Sequence, residues 1–219
     1  MQSQTLEKII SHTILIAMNI LASLQAIDVE LLTFIRETFV LHASWFSTFI
    51  LLVSDSEPIL FALFLVVLWM YGWNERDNGP KHVALDLFWH VMGAFTLYWI
   101  INHLLPVRPR PEAFTSLPPL IAHFPDNSFP SGHAMFFGAS WWALYKLWQW
   151  KRVTYTFFFL WCVTVFSRVI AGIHYPGDII VGFLLGWMIV HILISLPHGK
   201  RYRTYAQDTI IQLVKKVGL

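Results

Sequence analysis

Long apolar runs separated by short polar clusters dominate this chain. Runs near 9–27, 56–73, 83–104, 133–150, 153–172 and 177–197 have about the 17 to 25 residues that a bilayer-spanning helix needs. They predict an all-α fold, a multi-span membrane helical bundle with six transmembrane helices, in a single domain over 1–219. Ser11, His12, Thr13, Asn19, Ser23 and Gln25 interrupt the first run, leaving open whether it crosses fully or lies partly in the interface. From Asp28 the period changes: Asp28, Glu30, Thr33 and Glu37 recur at helical spacing, with Leu31, Phe34, Ile35 and Phe39 on the other side. That pattern predicts an amphipathic interfacial helix lying flat on the membrane. Ser54-Asp55-Ser56-Glu57-Pro58 then reads as the start of the second span.

The composition, 56% hydrophobic and 13% charged, fits an integral membrane protein. A net charge of +2 gives no reason to expect a nucleic-acid partner, and no repeat or low-complexity segment points to a second module. The lone Cys162 leaves no internal disulfide and reads as a packing residue. No cleavable signal is visible, so the first helix is expected to stay as an anchor. Of fifteen Lys and Arg residues, eleven (Lys8, Arg76, Lys81, Lys146, Lys151, Arg152, Lys200, Arg201, Arg203, Lys215, Lys216) fall on one side of a six-span topology. Arg36, Arg108, Arg110 and Arg168 fall on the other. By the positive-inside rule both termini are cytoplasmic, and the expected location is a cytoplasmic (inner) membrane.

Three segments that carry chemistry then share the outward face: Arg110-Pro111, Pro130-Ser131-Gly132-His133, and Ser167-Arg168 with His174 and Asp178. A phosphoryl group in transfer needs fixed cationic donors on its oxygens, and Arg110 and Arg168 supply planar forks for them. Pro130 to His133 precede an apolar run, so backbone N–H groups at a helix start, the Ser131 hydroxyl and the close approach allowed by Gly132 are available to an anion. His174 and Asp178, four apart at a helix start, are expected to face each other. The carboxylate would orient the imidazole, freeing its other nitrogen to attack phosphorus, and His133 would protonate the leaving oxygen. A zinc or iron site built from His133, His174 and Asp178 is the alternative, against which the two arginines argue.

The series His103-x6-Arg110-Pro111, Pro130-Ser131-Gly132-His133 and Ser167-Arg168-x5-His174-x3-Asp178 resembles the signature of the type 2 phosphatidic acid phosphatase superfamily. The likeness is densest over about 100–178. It implies a phosphohistidine at His174, orientation by Asp178, general acid catalysis by His133, and a phosphate held by Arg110, Arg168, Ser131 and Gly132 without metal or other cofactor. The family's usual lysine in the first motif is His103 here, expected to contact a phosphate oxygen through its imidazole.

The function expected is an integral membrane lipid phosphatase acting on a lipid phosphate or diphosphate. Asp126 to His133 look most like members acting on undecaprenyl diphosphate. Phosphatidic acid, phosphatidylglycerol phosphate and lipid A phosphates stay open as substrates. So do phosphoryl transfer to another lipid and a non-enzymatic lipid or anion transporter.

Overall fold

The computed structural model describes residues 2–40, 44–54, 56–74, 77–116, 118–123 and 127–216. These form helices α1 (Gln2–Val40), α2 (Ser44–Ser54), α3 (Glu57–Asn74), α4 (Gly79–Leu104), α5 (Gly132–Leu147), α6 (Lys151–Ile170), α7 (Pro176–Ser195) and α8 (Pro197–Lys216), with a single 3-10 turn at Pro111–Ala113. Among the described residues there is no strand.

One expectation is corrected, and another is met in part. The first span and the flat interfacial helix are one uninterrupted helix, α1. No glycine or proline breaks it, and at 1.5 Å per residue its 39 residues extend about 58 Å. Its apolar side chains from Ile14 to Leu24 are exposed, as on a lipid-facing helix. Beyond Gln25 its polar groups find protein partners: Asp28 Oδ1 accepts from Gly177 N at 2.8 Å, and the buried Arg36 donates to Ile170 O.

The expected count of six spans is met in part. Among the described residues five helices are long and apolar enough to cross a membrane: α1 over Ile10–Val40, then α3, α4, α6 and α7. The sixth expected span, α5, has 16 residues, about 24 Å of helix. It is the central post of the bundle, with every residue from Ala134 to Ser140 buried. The amphipathic helix is instead α8, whose Arg203 and Gln207 reach Asp86 of α4, each at 2.7 Å. Arg76, counted for the charge bias, lies outside the described residues.

α5 packs most extensively on α7, and the reason is steric. A Cβ added at Gly186 would lie 1.9 Å from Met135 O, one at Gly138 would lie 2.0 Å from Phe183 O, and one at Gly182 would lie 2.6 Å from Ser131 O. Only glycine lets the two backbones meet this closely, as small residues do between membrane helices. The register this seam sets brings the first turn of α5 beside the first turn of α7. The start of α3 and the ends of α4 and α6 gather at the same end of the bundle.

Gly186→Val forces these backbones apart at a cost of about 1–3 kcal/mol or more. Thermal unfolding in detergent should show a clearly lowered midpoint. Gly93→Ala, whose Cβ would meet only the flexible Leu193 Cδ1 at 3.1 Å, should leave the midpoint nearly in place.

Candidate active site

At the gathered helix ends lies a cavity of about 340 Å³, within the usual range for small-molecule sites. Arg110, Gly132, His133, Arg168 and His174 all line it, together with Glu57, Tyr98, His123 and the apolar Pro58, Phe95 and Phe136. Five of the eight residues singled out in the sequence therefore share one space, although they lie on three separate stretches of chain.

His174 sits on the buried turn 171–175 between α6 and α7. Gly172 adopts φ +77° there, in the left-handed region that glycine enters without strain. A Cβ on it would fall 2.6 Å from the Arg36 guanidinium carbon, so α1 props the turn from outside. The His174 Nδ1 lies 2.9 Å from the backbone carbonyl of Ser128. A carbonyl can only accept, so Nδ1 carries the proton and Nε2 keeps its lone pair. Burial pushes the His174 pKa below its ordinary value near 6.5, with Asp178 pulling it up and the charges of Arg110 and Arg168 adding to the lowering.

Asp178 stands behind the imidazole and does not line the cavity. Its closest approach to His174 Nδ1 is 3.6 Å, an electrostatic contact rather than a hydrogen bond. The carboxylate is fully buried and fully engaged elsewhere. Oδ2 accepts from the Ser128 hydroxyl at 2.5 Å and from Tyr175 N at 2.9 Å, the second being half of a capping box at the start of α7. Oδ1 accepts from Arg108 Nη1. Arg108 in turn pairs with Asp28 at 2.7 Å, donates to Gln25 Oε1 and stacks over the Tyr175 ring at 4.2 Å. Asp178 thus fixes the Ser128 segment, whose carbonyl holds the histidine.

The arginines are positioned by carbonyls. Arg110 Nη1 donates to Ile173 O at 2.6 Å, and Arg168 Nη1 donates to Ser54 O at 2.8 Å and Ser54 Oγ at 3.1 Å. Ser131 is the N-cap of α5: its buried hydroxyl accepts from Ala134 N at 3.5 Å, and its own N–H donates to Asp178 O at 3.2 Å. Ser131 is not among the residues that line the cavity, whereas Gly132 and His133 are. Gly132 packs under Tyr98, whose ring would be 3.1 Å from an added Cβ.

His103 is not brought to the site. It is exposed, its Nδ1 is 2.7 Å from Trp99 O and its ring lies 4.3 Å from that of Trp99. A histidine one turn after a tryptophan at a helix end satisfies itself locally. Asn127 is buried and accepts from Arg108 N at 2.9 Å, while Asp126 lies outside the described residues. Among the described residues no group of three or more His, Cys, Asp or Glu side chains is arranged to hold a metal ion, and His133, His174 and Asp178 in particular do not converge on one point.

Arg108, Ser128 and Glu57 were missed in the sequence. A buried Asp178 facing only a neutral histidine lacks a counter-charge, and Arg108, two residues before Arg110, was the available signal. The role of Ser128 lies partly in its backbone carbonyl, which residue type does not encode.

The PAP2 superfamily profile matches residues 83–202, the stretch that carries every one of these motifs. The chain belongs to the PAP2 superfamily. It is 29% identical over 157 residues to the undecaprenyl-diphosphatase BcrC of Bacillus subtilis, covering 70% of this chain and 74% of that protein. It is 39% identical over 128 residues to phosphatidylglycerophosphatase B of Escherichia coli, covering 55% of this chain and 46% of that protein. In fold it is similar to the crystal structure of a transmembrane PAP2 type phosphatidylglycerolphosphate phosphatase from Bacillus subtilis, with a TM-score of 0.58, 17% identity, and coverage of 78% of this chain and 84% of that one. With its helices of spanning length, this PAP2 member is a membrane phosphatase.

If neutral His174 is the reactive form, lowering the pH through its depressed pKa protonates Nε2 and removes activity. The acid limb of kcat/KM should therefore lie below pH 6.5. Asp178→Asn removes the group that raises this pKa, so its acid limb should move to still lower pH while the plateau falls. An unmoved limb would contradict this electrostatic role.

Proposed function

We propose that the protein hydrolyses the terminal phosphate of an isoprenoid lipid diphosphate, with undecaprenyl diphosphate as the best candidate, through a phosphohistidine on His174. The observation that carries the reading is the Ser128 carbonyl on Nδ1, which leaves Nε2 as a lone-pair donor in a cavity lined by two arginines and a second histidine. In the first step Nε2 bonds to the terminal phosphorus and the bond to the bridging oxygen breaks. His133 gives its proton to the departing lipid phosphate. In the second step His133 takes a proton from water, whose oxygen attacks the phosphohistidine and releases inorganic phosphate.

Arg110, Arg168 and the Gly132 backbone neutralise the equatorial oxygens throughout, the task a metal ion performs in other phosphoryl-transfer sites. Pro58, Phe95 and Phe136 give the cavity an apolar side against which the first part of a lipid tail packs. The choice of substrate rests on the likeness to BcrC, which extends over most of both chains, and on the Asp126 to His133 segment. With α5 as a sixth crossing beside the five longer apolar helices, the lysine and arginine bias supports a cavity facing the periplasm or cell exterior, with both termini in the cytoplasm.

Phosphate release from detergent-solubilised undecaprenyl diphosphate, phosphatidylglycerol phosphate and phosphatidic acid tests this reading. Undecaprenyl diphosphate should turn over fastest. His174→Ala should lose activity by on the order of a thousandfold or more on all three while still binding lipid. Retained release in that variant would reject the covalent mechanism, and a preference for phosphatidylglycerol phosphate would reassign the substrate. Label appearing in an added acceptor lipid instead of water would make the protein a transferase.

A further inference from the structure

One charged side chain in the cavity has no part in the mechanism above. Glu57 is the first residue of α3 and has no exposed surface, yet it lines the cavity, and neither carboxyl oxygen has a hydrogen-bond partner. The ordinary use of a glutamate at a helix start is to accept from free N–H groups or to offset the helix dipole. Glu57 accepts no such bond. Buried polar groups are nearly always satisfied, so this orphaned carboxyl points to a group that arrives with the ligand.

We propose that Glu57 is a proton-linked member of the phosphate cavity: a tetrahedral dianion is held there with the Glu57 carboxyl protonated and donating a hydrogen bond to one anion oxygen. The inference rests on the phosphatase reading of the cavity and adds a binding residue to it.

The chemistry follows from what lines the cavity beside Glu57. Arg168 comes from α6, His174 from the turn before α7, His133 from α5, Tyr98 from α4, and Arg110 and His123 from the segment between α4 and α5. Arg168 also interacts electrostatically with Glu57 while its Nη1 is spent on Ser54. An ionised Glu57 adds a negative charge to the cavity where the phosphate must sit, and like charges sharing a site settle by taking up a proton. A protonated carboxyl offers an O–H donor, which converts the same side chain from a repulsive group into a ligand. Burial away from water disfavours the charged form as well. Acid pH then strengthens anion binding and alkaline pH weakens it, through a group distinct from the histidines.

The test is sulfate binding to the full-length protein in detergent from mildly acid to alkaline pH, comparing the native protein with Glu57→Gln. Sulfate keeps its charge across this range, and the histidines titrate in both proteins. The native protein should lose affinity more steeply toward alkaline pH. The ratio of native to variant dissociation constants should grow by up to about tenfold per pH unit once Glu57 ionises. Parallel curves would overturn the assignment of Glu57 and leave the phosphatase reading intact, whereas failure of both proteins to bind sulfate at any pH would overturn both. Infrared difference spectra give a second readout. Sulfate added to the native protein at alkaline pH should produce the carbonyl stretch of a protonated carboxyl, a band no histidine contributes, and Glu57→Gln should lack it. Absence of the band in the native protein would also overturn the proposal.

Discussion

The closeness of α5 and α7 is the constraint from which the rest of the structure follows. At Gly138, Gly182 and Gly186 the two helices meet backbone to backbone with no room for a methyl group. Between membrane helices, where apolar side chains gain little over lipid tails, such close packing is the main source of association. The seam also fixes register. The carbonyl of Ser131 lies over Gly182, and the N–H of Ser131 reaches the carbonyl of Asp178. The start of α5, bearing Gly132 and His133, is thereby held level with the start of α7 and the turn that carries His174.

Asp178 turns that register into a site. Its carboxylate is out of reach of solvent and gathers a hydroxyl, a backbone N–H and a guanidinium from three parts of the chain. A buried carboxylate is tolerated when its lone pairs are filled by donors of this kind. The consequence for His174 is indirect. Asp178 anchors Ser128, the Ser128 carbonyl fixes the imidazole tautomer, and the carboxylate acts on the ring at 3.6 Å. Through Arg108 and Asp28 the same network ties α1 to the site, so the lipid-exposed first helix ends as part of the frame around the turn that carries His174.

Much of this was legible in the sequence because motif and span patterns are local. The apolar runs located α3, α4, α6 and α7, and the motifs located Arg110, Gly132, His133, Arg168 and His174, which share one cavity. What escaped depended on long-range partners. Asp28 to Phe39 have the period of an interfacial helix, but Arg36 is buried and donates to the carbonyls of Ile170 and Pro118, contacts no local pattern encodes. Ser131 reads as a phosphate donor by type, yet its place at the cap turns its hydroxyl inward. His103 matches a motif position, yet Trp99 one turn earlier captures its ring. Glu57 looked like a helix-start residue because nothing in its neighbourhood shows that α5, α6 and the turn before α7 close around it.

The proposed chemistry converges on one atom, the Nε2 of His174, held uncharged with its lone pair in a cavity furnished with arginines. The most direct measurement is to expose the solubilised protein to a lipid diphosphate labelled on its terminal phosphate, quench in alkali to preserve phosphohistidine, and map the label by peptide mass spectrometry. A phosphohistidine mechanism requires a transient label on His174, lengthened in lifetime when His133 is replaced. Label on any other side chain, or turnover through which His174 is never labelled, would contradict it.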